Sequence, residues 1–311
     1  MKKRILLTGG NGMVGRNILS HTLSEKWSFF SPSSAELDLT NYDETLSYID
    51  KTKPEIIIHA AGRVGGIQEN INNPVDFLVT NLDIGRNVVM AARQSGVRKL
   101  LNLGSSCMYP RDMTSPLKEE MLLQGELEQT NEGYALAKIM VARLCEYICR
   151  EDAMFQYKTM IPCNIYGRFD KFNPKRSHLI PAIINKLQQA IDNNDKEVEI
   201  WGDGKARREF MYADDFADAI IYALENFDSM PSIINIGMGY DYTINDYYLT
   251  IAKIMNFHGT FKHNLNKPVG MQQKLVSIER QIDWGWSPKT ELEKGAKDAY
   301  HYYLNEVSCE R

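Results

Sequence analysis

An apolar strand that runs straight into Thr8-Gly9-Gly10-Asn11-Gly12-Met13-Val14-Gly15 leaves a chain few ways to fold. Gly9 permits a tight turn, Gly12 lets backbone approach a pyrophosphate, and Gly15 lets the next helix pack closely on the strand. The free N–H groups and positive dipole end of that helix then face phosphate. The same three glycines elsewhere would be an ordinary glycine-rich turn. At the first turn of a strand–helix–strand pattern they predict a dinucleotide site.

That pattern continues. Residues 4–8, 28–31, 55–59, 99–104 and 158–162 are short, apolar and β-compatible, and residues 14–25, 76–95 and 134–150 between them have helical periodicity. Alternation of this kind implies βαβ units and a parallel sheet with helices on both faces. The expected fold is α/β: a Rossmann-type doubly wound parallel sheet with a smaller C-terminal α/β substrate lobe. Residues 1–165 would form the dinucleotide-binding domain, with 207–237 returning to it. Residues 166–206 and 238–311, where the alternation weakens, would form the substrate domain.

Composition narrows the partners. A net charge of −4 disfavours nucleic acid or an anionic membrane as the main partner. The apolar run after Met1-Lys2-Lys3-Arg4 is too short for a secretion signal, and no stretch approaches a membrane span. The five cysteines form no zinc pair and no disulfide framework, which points to a reducing cytoplasm and to no metal.

The end of the second strand, Ser28-Phe29-Phe30-Ser31-Pro32-Ser33-Ser34, has no acid before Glu36. An NAD site places a carboxylate there to bond the ribose 2′-hydroxyl. Its absence favours NADP, although no arginine stands there to hold the 2′-phosphate. Downstream, Tyr134 and Lys138 share one helix face, where an ammonium would lower the phenol's pKa and suit it to acid catalysis. A lone Y-x-x-x-K is usually a solvated helix face. Here Ser105 also lies at the carboxyl end of a strand, where α/β sheets bind ligands.

Glycine loop, serine and Tyr/Lys helix, in that order, resemble the extended short-chain dehydrogenase/reductases. More narrowly, the chain is similar to the GDP-L-fucose synthases in several passages: His59–Ile67, Leu103–Pro110, Thr130–Lys138, Ser177–Ala182, Trp201–Gly204 with Arg208-Glu209-Phe210, and Lys267–Gly270 with Lys274-Leu275. The resemblance implies an NADPH-dependent enzyme that epimerises C3 and C5 of a GDP-4-keto-6-deoxy sugar and then reduces C4. It makes Ser105, Tyr134 and Lys138 the reductase triad, and Cys107 and His178 the acid/base pair of epimerisation. Cys145 and Cys149 read as packing residues. Cofactor contacts are expected from Gly9, Gly12, Met13, Val14, Gly15, Asp38, Leu39, Ala60, Ala61, Gly62 and Asn164, together with Tyr134 and Lys138. Lys186, Arg208 and Lys274 would meet the diphosphate and sugar, with Trp201 against guanine. The same mechanism could instead serve a GDP-4-keto-3,6-dideoxymannose, or a GDP-4-keto heptose reduced without epimerisation. A non-enzymatic nucleotide sensor is the reading from another class, and the retained Tyr/Lys pair argues against it. Apolar residues beyond one stripe (Val88, Val89, Met90; Ile139, Met140, Val141) suggest a homodimer through a four-helix bundle.

Overall fold

The computed structural model describes residues 2–173, 177–267 and 271–307. Residues 268–270 of the Lys267–Gly270 passage, and Cys309, lie outside them.

Strand β1 (Arg4–Thr8) leads through the glycine loop to α1 (Met13–Ser20), then to β2 (Ser28–Phe30), α2 (Tyr42–Thr52), β3 (Ile56–His59), α3 (Ile67–Asn72), α4 (Pro74–Gln94) and β4 (Lys99–Leu103). Helix α5 (Glu132–Glu151) precedes β5 (Gln156–Pro162) and β6 (Asn164–Tyr166). Then come α6 (Leu179–Asn193), β7 (Glu197–Trp201), β8 (Arg207–Arg208), β9 (Phe210–Tyr212), α7 (Ala213–Glu225) and β10 (Ile233–Ile236). The chain finishes with β11 (Tyr242–Thr243), α8 (Ile244–Ile254), β12 (Thr260–Asn264), β13 (Gln273–Lys274), α9 (Glu279–Trp284) and α10 (Leu292–Tyr302).

The central sheet has six parallel strands in the order β2-β1-β3-β4-β5-β10. Its strands are apolar on both faces because helices cover both. Ile5, Leu7, Ile56, Ile58, Leu101 and Leu103 point into one core with Ile18 of α1 and the apolar face of α7. The intervening Leu6, Ile57 and Leu100 point into the opposite core with Ile49, Val88, Val89, Cys145 and Ile148. Strand β10 adds the far edge, so the chain returns to this sheet after visiting the second lobe. That lobe packs α6, α8 and α10 around Ile183, Ile184, Leu187, Ile251 and Ala296, beside the β7–β12 pair and the β11-β8-β13 sheet.

Two sequence expectations change. The helix expected over residues 14–25 stops at Ser20, followed by a single turn at Ser24–Lys26. Polar side chains capture the backbone there: Ser24 Oγ donates to the Leu19 carbonyl at 3.1 Å, and His21 Nδ1 accepts from Leu23 N at 3.2 Å. Val88, Val89, Ile139 and Val141, read as a surplus apolar surface, are buried within the chain. The exposed apolar side chains of α4 and α5 are instead Val75, Val79, Leu136, Met140 and Tyr147.

Gly15 shows how little slack the cofactor loop has. A Cβ there would lie 2.4 Å from both Gly10 Cα and Gly9 O, backbone atoms that cannot step aside. Gly15→Ala is expected to lose about 1–3 kcal/mol to overpacking, read as a lower urea midpoint; an unchanged midpoint would contradict this packing.

Candidate active site

Strand order reverses between β1 and β3, and chains leaving their carboxyl ends part to open a crevice. Thr8 Oγ1 and His59 Nδ1 are 2.9 Å apart across that point, and Ala61 N donates to Thr8 Oγ1 at 3.3 Å. Burial, with Lys138 nearby, lowers the His59 pKa to about 3, so the ring is neutral and structural. Gly9 has φ +74°, and a Cβ there would stand 2.7 Å from Ala61 N. Gly10 lies against Ser31 Oγ, whereas Gly12 faces only Gly9 O, at 3.3 Å from an added Cβ. The result is a stretch of bare backbone at the start of α1, with half-buried Met13 and Val14 beginning the helix. This cradle fits a dinucleotide pyrophosphate.

Ala60, Ala61 and Gly62 continue from β3 past the triad lysine. Asn81 fixes this segment by accepting from Arg63 N at 2.8 Å and donating to Arg63 O at 3.1 Å. A Cβ on Gly62 would be 3.7 Å from Lys138 Nζ. Further out, Asp38 is exposed, and its Oδ1 accepts from Thr40 N and Oγ1 at 2.9 and 2.7 Å, which lowers its pKa. Leu39 is half-buried, its carbonyl receiving Asn87 Nδ2 at 3.0 Å.

Ser105 follows β4, and Cys107 sits in the turn Ser106–Met108. The Cys107 thiol donates to Ser105 Oγ at 3.1 Å, which leaves the serine proton available to a ligand. Lys138 Nζ donates to the Leu103 carbonyl at 2.9 Å and lies 5.8 Å from the Tyr134 ring centroid. The expected lowering of the phenol by this lysine is overturned: burial, with Cys107 adding to it, pushes the Tyr134 pKa well up. Burial also lowers Lys138 to about 8. Cys107 is raised by burial, against opposing pulls from Lys274, the Ser105 hydrogen bond and Lys138. Phenol and thiol are therefore held as proton donors.

His178 stands immediately before α6. Its accessible surface makes it exposed, although protein atoms crowd the imidazole. Burial, with Lys171, lowers its pKa and keeps the imidazole neutral, in the form that accepts a proton.

Arg208 and Lys274 are register partners on β8 and β13, both half-buried. Burial lowers both pKa values, with Glu128 opposing the shift in each case, and the proximity of Arg208 lowers Lys274 further. Two cations held side by side suit a diphosphate. Lys274 is also the leading positive influence on Cys107, so this pair of cations adjoins the Ser105–Cys107 turn.

A second cluster surrounds Trp201, which is 52% exposed rather than a core aromatic. Lys186 Nζ and Lys267 Nζ lie 5.4 and 5.1 Å from its ring. Lys186 also donates to Glu199 O at 3.2 Å. Lys267, 66 residues beyond Trp201 in the chain, reaches the ring because Asn264 of β12 pairs with Trp201 of β7, a long-range contact that no sequence signal marks.

Asn164 is half-buried and gives its Nδ2 to the Glu209 carbonyl at 2.9 Å. The Glu209 carboxylate is fully buried: Oε1 accepts from Met238 N and Gly239 N at 2.6 and 3.1 Å, and Oε2 from Val276 N at 2.9 Å. Sequence reasoning gave Glu209 no part, although an acid directly before the apolar run Phe210–Tyr212 was a visible signal.

A glycine-cradled parallel sheet with a Ser–Tyr–Lys cluster at its carboxyl edge defines a reductase of the extended short-chain type. The chain belongs to the NAD dependent epimerase/dehydratase family, whose model matches residues 5–237. It is 58% identical to GDP-L-colitose synthase of Yersinia pseudotuberculosis over 303 residues, 97% of this chain and 98% of that one. It is 47% identical to GDP-L-fucose synthase of Azorhizobium caulinodans, covering 98% of each chain. Among solved structures it is similar to MlghC, a GDP-mannoheptose C4 reductase of Campylobacter jejuni with NADP bound, at a TM-score of 0.88 and 31% identity over 98% of this chain and 99% of that one.

Lys138 gives the site a measurable pH dependence. Its ammonium is charged below about 8 and loses its proton above. Affinity for a pyridine dinucleotide should therefore weaken as pH rises through that value, with no such step in Lys138→Met. Calorimetric titration between pH 7 and pH 9 checks this, and a flat wild-type profile would refute it.

Proposed function

We propose that this chain epimerises a GDP-linked 4-keto-6-deoxy sugar and reduces its C4 carbonyl with NADPH. The observation that carries the reading is the single cluster of Ser105 hydroxyl, Cys107 thiol, Tyr134 phenol and Lys138 ammonium. The names of its relatives supply the GDP sugar. NADP in the similar heptose reductase, with the carboxylate-free end of β2, supports the cofactor.

A proton α to a ketone is acidic because the enolate spreads its charge onto oxygen. His178, neutral, removes such a proton, and Cys107, a thiol, returns one on the opposite face. Tyr134 hydrogen-bonds the C4 oxygen through both steps, Ser105 joins it while Cys107 is a thiol, and Tyr134 gives up its proton when C4 is reduced. The glycine cradle would hold NADPH, which would supply the hydride. Lys138 holds the nicotinamide ribose and supports the charge left on Tyr134. Arg208 and Lys274 hold the diphosphate, with Lys186 and Trp201 toward guanine.

A second reading keeps these roles and changes the sugar. The 58% identical relative is a GDP-L-colitose synthase, which favours a 3,6-dideoxy substrate with one centre to invert. Incubation with NADPH and each GDP-4-keto sugar, with products identified by NMR, separates the two. We propose the cytoplasm as its compartment, a reading that the free thiols at Cys107, Cys145, Cys149 and Cys163 support. Among the described residues, no helix is long and apolar enough to cross a membrane.

The two chemistries should come apart by mutation. Tyr134→Phe is expected to cut reduction by about 10²–10⁴-fold while exchange of substrate α-protons with D₂O continues. Cys107→Ser should slow inversion of the sugar centre sharply, because a serine hydroxyl is too weak an acid to replace the thiol. Epimerised product formed at the wild-type rate by Cys107→Ser would remove that residue from the mechanism.

A homodimer through α4 and α5 completes the proposal, supported by Met140 at 57% and Tyr147 at 51% exposure on the outer face of α5. Light scattering should give twice the 35.6 kDa chain mass, and Met140→Glu should shift it toward monomer. A monomeric wild-type mass would refute the dimer.

A further inference from the structure

Selecting NADPH over NADH means holding a 2′-phosphate, which carries close to two negative charges at neutral pH. The loop after β2 is badly equipped for this. Residues 27–50 contain no lysine or arginine. Ser33 Oγ donates its one proton to Glu36 at 2.8 Å, and the Ser33 N–H goes to the same carboxylate at 2.8 Å. Those bonds hold the Glu36 pKa below its usual value and keep a negative charge beside the loop. Ser31 Oγ, by contrast, is buried against Gly10 with no hydrogen-bond partner.

A cation comes from another direction. Arg16 is one turn into α1 and exposed. Its guanidinium carbon lies 3.8 Å from the centroid of the Phe169 ring. Arg16 and Phe169 face Gly10, Asn11 and Leu19 across a cavity of about 430 Å³. An added Cβ on Gly10 would touch both Ser31 Oγ and Leu19, so the cavity and the orphaned serine hydroxyl adjoin the same glycine. The aromatic plate is itself held: Asn17 Nδ2 donates to Arg168 O at 3.2 Å, and Arg168 Nη2 bonds Asp214 at 2.9 Å. Stacking occupies the guanidinium face and leaves its in-plane N–H donors free, and that fork matches a phosphate. Among the described residues no carboxylate is ion-paired with Arg16.

We propose that Arg16, braced on Phe169, receives the 2′-phosphate and sets the preference for the phosphorylated dinucleotide, with Ser31 as its hydroxyl partner. This rests on the NADPH reading above. The arginine missing from the end of β2 is thus supplied by α1. Phe169, which orients Arg16, comes from a loop 153 residues further along the chain.

Calorimetric titration of nucleotide-stripped protein with adenosine 2′,5′-bisphosphate and with 5′-AMP tests it without turnover. Wild type should bind the bisphosphate more tightly. Arg16→Ala should lose roughly 10- to 100-fold in bisphosphate affinity, the range of a charge-assisted contact, with 5′-AMP unchanged. Arg16→Lys should recover part of the loss as a point charge, and unchanged circular dichroism should confirm the fold. If wild type does not discriminate between the ligands, the NADPH reading itself falls. If wild type discriminates and Arg16→Ala does so equally, or weakens both ligands alike, the cofactor reading stands and the Arg16 assignment is overturned.

Discussion

A buried carboxylate holds the two lobes of this protein in register. Glu209 accepts Met238 N and Gly239 N, which follow the last strand of the central sheet, and Val276 N, which follows β13 of the second lobe. Burying a charge is costly unless several donors meet it, and three backbone N–H groups do. Burial still dominates, pushing the Glu209 pKa up to about 7 against those hydrogen bonds. Next to Glu209 in the chain is Arg208, and two residues before Val276 is Lys274. The same clamp therefore sets where Arg208 and Lys274 stand relative to Ser105, Tyr134 and Lys138 on the sheet. A shift between lobes that broke it would leave an unpaired buried charge.

Burial also decides which groups in the cleft carry charge. It raises Tyr134 and Cys107 and lowers His178, so all three are neutral near pH 7. Beside them stand the cations Lys138, Lys274 and Arg208, with Glu128 near the last two. Within a chain of net charge −4, this grouping of three cations suits an anionic ligand. On the proposed chemistry, groups that exchange protons wait uncharged beside cations able to stabilise the anions formed during the reaction.

How much of this the sequence could tell depended on the range of the interactions. Strands β1, β3 and β4 were readable within a residue because two-sided apolar runs are local, and the glycine loop was readable because its steric demands are local. Tyr134 and Lys138 were readable because i, i+4 spacing puts them on one helix face. Their electrostatics were not: spacing gave the lysine's influence on the phenol but not the depth at which both lie. The dimer residues were misjudged for a related reason. Val88, Val89, Ile139 and Val141 exceed one stripe because α4 and α5 pack both on the sheet and on each other, with Gly85 giving Val141 the room. Glu209 and Arg16 act through partners far along the chain, which periodicity does not register.

On the proposed chemistry, the Ser105–Cys107 hydrogen bond couples the two activities through a single proton. While Cys107 is a thiol it donates to Ser105 Oγ, and the serine proton can serve the C4 oxygen. Once the thiol has given up its proton, the thiolate can only accept, and the nearest donor is that same serine. The C4 oxygen then depends on Tyr134 alone. Reduction needs both donors, because C4 becomes tetrahedral and its oxygen gathers a full charge as hydride arrives. The arrangement therefore disfavours reduction while the thiolate lacks its proton and favours it once the thiol is restored. In a cleft that holds one sugar for both reactions, that ordering needs no movement of protein. It needs a hydroxyl with one proton between two groups that each require it.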